Sequence, residues 1–174
     1  MIAKRCLLVL VITTLTFLFI STAHPASEYT VESLRGLTGV GVSVESFSPE
    51  VKGKLPFGEN QIRADVELKL RMAGIKVLSD EERFNAPGMP FLYVRVDIGE
   101  TSDLLPILGY NITVQLRQQV YLARNFELLF GSTWEKSVTD AVNIRNVSAT
   151  RKMVKNFVDH FIYDYLLVNP KGRK

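Results

Sequence analysis

The chain has 174 residues, with 21 basic against 18 acidic side chains, two histidines and one cysteine. That length suits one domain able to bury a working core, and the near balance of charge excludes the clustered, uncompensated Lys and Arg of a phosphate-binding surface. Cys6 and His24 lie in or beside the N-terminal apolar segment, and His160 by itself falls short of the three or four converging ligands a zinc site needs, so neither a metal site nor a cofactor is expected.

In chain order, the opening MIAKRCLLVLVITTLTFLFISTAHPAS joins Lys4 and Arg5 to an apolar or hydroxyl run from Cys6 to Ile20, then to small residues. This is the three-part pattern of a secretory signal peptide, residues 1–23, with cleavage expected after Ala23 and alternatively after Ala26. The run falls short of the ~20 residues a spanning helix needs, so no membrane span is expected after cleavage. Cys6 opens the run instead of following it, the wrong place for a lipid-modified cysteine. Its loss with the leader gives an exported single domain, 27–174, held together without disulfides. Lys4 and Arg5 leave too, which brings the formal charge of +3 down to near +1.

Glu28 to Leu34 alternates weakly, and Thr38 to Phe47 sets Val40, Val42 and Val44 on one face. One or two strands are predicted, broken near Gly36, with Gly39 and Gly41 marking a close backbone approach. Their spacing fits no phosphate-binding loop. Ser48 to Gly58 is a loop, SPEVKGKLPFG, from which Leu55 and Phe57 fold back on the core. Glu59 to Ala73 is a helix with Ile62, Val66, Leu70 and Ala73 as its apolar stripe. Gly74 closes it, and Ile75 to Leu78 follows as a short strand.

The stretch Leu68 to Leu78, LKLRMAGIKVL, resembles the helix-to-strand joint of small exported α/β domains such as the amino-terminal domain of TolB and the lipoprotein activators of penicillin-binding proteins. The chain as a whole resembles an uncharacterised exported bacterial family. The resemblance implies a non-catalytic, protein-binding domain of the cell envelope and carries over no functional residue.

Asp80 to Pro90 reads as a loop and Phe91 to Ile98 as a strand with Leu92, Val94, Val96 and Ile98 on one side. The longest alternation is Tyr110 to Arg124, with Ile112, Val114, Leu116, Val120 and Leu122 inward and Gln118 alone out of step. A turn at Asn125 leads to a third strand, Leu128 to Val138, around Trp134, so the three form an antiparallel meander. After a polar link, Asp140 to Val147, Ser148 caps a helix to about Val168, whose stripe is Met153, Val154, Phe157, Val158, Phe161, Ile162, Tyr165 and Leu166. The expected fold is α+β, a two-layer sandwich of an antiparallel, or else mixed, sheet with two helices packed on one face.

Catalytic readings are weak. Asp80, Glu81 and Glu82 diverge into water, Asp159 and Asp164 lie on different sides of a helix, and His160 reads as a helix-surface residue without a nucleophile elbow to serve. Two features suit partner binding. The outward sheet face carries Tyr93, Arg95, Gln115, Arg117, Gln119 and Tyr121, planar donors and aromatics. The connection Gly99 to Gly109 holds Leu104, Leu105, Ile107 and Leu108, an apolar loop that either makes a contact with protein or membrane or tucks under the sheet edge. The expectation is an envelope protein partner and no nucleic acid, with the oligomeric state open. Carriage of a small apolar or lipid ligand between sheet and helices is the alternative.

Overall fold

The structure, a computed structural model, describes residues 27–49, 51, 55–100 and 106–170. The expected leader, the basic tail from Lys171, and Leu104 and Leu105 of the apolar connection lie outside the described residues. The elements are α1 (Ser27–Glu32), β1 (Gly41–Val44), α2 (Glu59–Met72), α3 (Asp80–Asn85), β2 (Phe91–Glu100), β3 (Ile107–Tyr121), β4 (Leu128–Asn143) and α4 (Ser148–Val168). The four strands form one sheet in the order β1-β2-β3-β4. β1 runs parallel to β2, joined by a crossover that contains α2, while β2, β3 and β4 are the antiparallel meander. The fold is α+β with a mixed sheet.

The two-residue rhythm becomes one buried layer. Leu92, Val94 and Val96 of β2 pair in register with Leu116, Val114 and Ile112 of β3, and all six are buried. Ile62, Val66 and Leu70 from α2 and Val154, Val158 and Phe161 from α4 close over that layer, so both long helices cover the same face. Trp134 extends the layer onto β4: it pairs with Leu116, meets Phe161 edge to face at 5.2 Å, and donates from Nε1 to Asp164 Oδ2 at 2.8 Å. Asp164 is thus a hydrogen-bond acceptor within the fold. The helices are tied together by Arg151, whose Nε and Nη2 hold both carboxylate oxygens of Asp65 at 2.7 and 3.0 Å. Lys69 joins Asp159 at 2.5 Å.

Gly39 and Gly74 are required where they stand. A Cβ on Gly39 would lie 2.6 Å from the Lys76 carbonyl oxygen, and the neighbouring Val40 both donates to Lys76 O and accepts from Leu78 N. This is the close approach the sequence implied. Gly74, at φ +78°, turns the chain out of α2, with Ile75 N reaching back to Leu70 O at 2.9 Å. Phe57 folds back as expected, edge to face with Phe47, and Leu55 packs beside them.

Several local assignments differ. Ser27–Glu32 is helix, not strand: the three-residue spacing of Val31 and Leu34 lets both reach the core, which weak alternation obscured. Asp80–Asn85 is helix, not loop, because Ser79 Oγ accepts from Glu82 N while the Glu82 carboxylate accepts from Ser79 N. Ile75 to Leu78 makes only an isolated parallel bridge, Val40 with Val77. β3 starts at Ile107 and ends at Tyr121, so Ile107 and Leu108 belong to a strand and not to a connecting loop. β4 runs on to Asn143, taking in half of the supposed polar link. Ser148 is the first residue of α4 and not its cap; Val147 holds that position, without a side-chain cap bond.

Candidate interaction surfaces

The outward face of the sheet gathers all six residues expected there. Tyr93 and Arg95 lie on β2, Gln115, Arg117, Gln119 and Tyr121 on β3. The centre of this face satisfies its own polar groups. The Tyr93 hydroxyl donates to Glu45, the Arg117 guanidinium lies over the Tyr93 ring at 3.7 Å, and Arg117 Nε donates to Gln115 Oε1 at 2.9 Å. Gln115 passes the chain on to Glu135 at 2.6 Å, and Arg95 is held by Asp97 at 2.7 Å. Burial, reinforced by the hydrogen bond to Glu45, pushes the Tyr93 pKa up. Such a laced face presents few free donors, which makes its centre a poor recognition surface.

The opposite holds at the end of the sheet where β2 begins. β2 pairs with β3 only as far as Phe91 with Arg117, whereas β3 and β4 go on pairing to Tyr121 with Leu128. The last four residues of β3 and the first four of β4 therefore form a two-stranded ribbon projecting past the rest of the sheet. A bulge between Leu116 and Arg117 marks its root. There Gln118, the residue out of step, donates to Ser33 O and to Thr133 Oγ1, fastening the ribbon to the segment after α1. Gln119 N donates to Gly88 O at 2.7 Å.

The ribbon's tip is apolar and in water: Tyr121 is 69% exposed, Phe126 78%, Leu128 47% and Phe130 49%. Phe130 leans on Phe91, with ring centroids 6.0 Å apart, and Arg83 lies over Phe91 and the exposed Phe84. Phe126 also adopts φ +56°, a left-handed conformation that Gly or Asn takes far more easily than a bulky side chain. Sequence reasoning placed the turn at Asn125 and passed over this cluster. The signal was FELLF, whose adjacent Leu128, Leu129 and Phe130 break alternation and must show an apolar side chain on each face of the ribbon.

At the other end of the sheet a cavity of about 900 Å³ opens between the end of the β2–β3 pair and the start of α4. Val51, Leu55, Ile98, Leu108, Ile144 and Val147 give it apolar walls, and Arg145 and Ser148 stand at its polar side. Leu108 thus lines a hollow. His160 sits on the exposed surface of α4 beside Asn156 and Tyr163, while its neighbour Asp159 is engaged with Lys69. Among the described residues no group of three His, Cys, Asp or Glu side chains is placed to hold a metal ion, and no helix is long and apolar enough to cross a membrane.

No known family profile matches the chain, and no curated protein does. Among solved structures it is similar to rare lipoprotein B from Shewanella oneidensis, at 12% identity and a TM-score of 0.36 over 74% of this chain and 95% of that one. A likeness at that level carries no statement about role.

Proposed function

We propose that this is an exported, non-catalytic protein that binds another protein of the cell envelope through the projecting β3–β4 ribbon. Export rests on the leader pattern of the first 23 residues. Binding rests above all on Phe126, a large aromatic that is exposed and held at a positive φ. Strain of that kind costs on the order of 1–3 kcal/mol and is concentrated at functional sites. The neighbouring Tyr121, Leu128 and Phe130 add the aromatic and aliphatic anchors from which contact energy mostly comes. The proposal moves the partner surface from the centre of the sheet face, where the side chains bind one another, to the end of that face. Of the six expected residues, Gln119 and Tyr121 lie on the ribbon, Tyr121 at its tip. Capture of crosslinked partners by the exported protein tests this: one partner should be recovered by the native chain and lost from a variant with Phe126 replaced.

A second reading, carriage of a small apolar ligand, is favoured by the cavity beneath Leu108. About 900 Å³ is within the range of small-molecule sites. Native mass spectrometry of protein purified without detergent should then show a bound adduct that Leu108→Trp displaces. A spectrum of bare protein, unchanged by the substitution, would argue against carriage.

A further inference from the structure

The free edge of the sheet carries a pattern that a second copy of the chain completes. β4 is 16 residues long, and beyond β3 no strand covers its far side among the described residues. An open row of backbone donors and acceptors of that length is a template for strand addition. On its helix-side face stand Lys136, Val138 and Asp140. Lys136 has no ion pair among the described residues, and Asp140 accepts from Ala141 N at 2.7 Å and lies against the Tyr110 hydroxyl. Four residues apart on one strand, at ~3.4 Å each, Lys136 and Asp140 are too distant to pair within the chain.

We propose that the protein forms a two-fold dimer by antiparallel pairing of β4 with β4 of a second copy, the axis passing through Val138. That register sets Lys136 opposite Asp140 of the second copy, and Asp140 opposite its Lys136, with Val138 against Val138 between them. On the other face Ser137 meets Thr139. Neighbouring registers lose the match. An axis through Lys136 opposes two lysines, and one through Ser137 sets Asp140 against Trp134. Charge alone would make Lys136 an edge guard, a device that discourages pairing; the two-fold register turns the same lysine into an attractive contact. Pairing spans Trp134 to Val142. Ser33 Oγ already takes the Thr133 carbonyl at one end, and the chain turns away at Ile144 at the other. The result is a continuous eight-stranded sheet with all long helices on one side and the two ribbons projecting at opposite ends. The dimer does not rest on the ribbon reading.

Opposed Cα atoms in an antiparallel pair lie about 4.5–5.5 Å apart, inside the range a disulfide spans. Exported protein, which has lost Cys6 with the leader, should therefore form a linked dimer under mild oxidation when it carries Val138→Cys, whereas Lys152→Cys on the exposed side of α4 should not. In sedimentation equilibrium Lys136→Asp and Asp140→Lys should each weaken dimerisation about ten-fold, and Lys136→Asp combined with Asp140→Lys should restore it. A monomer at 100 μM, or single charge swaps that leave the dimer intact, would overturn the proposal. Because partner capture and sedimentation read different residues, either proposal can fail alone.

Discussion

Trp134→Ala is expected to cost about 3–5 kcal/mol of folding stability, the range for truncating a fully buried aromatic. The ring is 2% exposed, packs edge to face on Phe161, and shares the layer with Leu116. Its loss also strips Asp164 of its donor, Trp134 Nε1, adding up to about 1–3 kcal/mol where that carboxylate is left partly buried without a partner. Natural domains hold only 5–15 kcal/mol in total, so the variant should be largely unfolded near 37 °C. Trp134→Phe keeps most of the ring and should lose about 1–2 kcal/mol, chiefly the hydrogen bond. Urea denaturation followed by circular dichroism measures both, since the chain has no second tryptophan to report by fluorescence. A loss below 1 kcal/mol for Trp134→Ala would mean that α4 does not cover β4 as described.

Phe126→Asn should move stability and binding in opposite directions. Asn accepts the left-handed conformation at φ +56° with little strain, and the exposed ring gives up few contacts within the chain, so folding should strengthen by about 0.5–1 kcal/mol. An interface anchor of this type contributes at least about 2 kcal/mol when truncated, so partner affinity should fall about 30-fold. Thermal unfolding read beside partner binding, measured by calorimetry or surface plasmon resonance, separates the cases. A residue placed only for turn structure would show the first effect without the second.

Much of the layered fold was legible because burial dictates it. Leu92, Val94, Val96, Ile112, Val114 and Leu116 could not alternate as they do unless one sheet face were covered, and the stripes of α2 and α4 have the width to cover it. The misread segments are those whose structure comes from single hydrogen bonds or long-range packing. The Ser79–Glu82 capping box decides α3, and docking of Val31 and Leu34 decides α1, both in segments too short for periodicity to speak. The outward face could be read for position, yet not for the pairings that occupy it: that Arg117 lies over Tyr93 and binds Gln115 follows from the register between β2 and β3, which composition does not fix. The ribbon was hidden for another reason. It exists because β3 runs on past the start of β2 at Phe91, and Leu128–Phe130 look like core until a missing neighbour leaves them in water.

Site-specific photocrosslinking from Phe126 and from Arg95, in the exported protein within its own cells, tests the partner surface most directly. Crosslinker at position 126 should capture one specific protein, and crosslinker at position 95, in the laced centre of the sheet face, should capture little. Equal capture at both positions, or capture from position 95 alone, would contradict the assignment of binding to the ribbon.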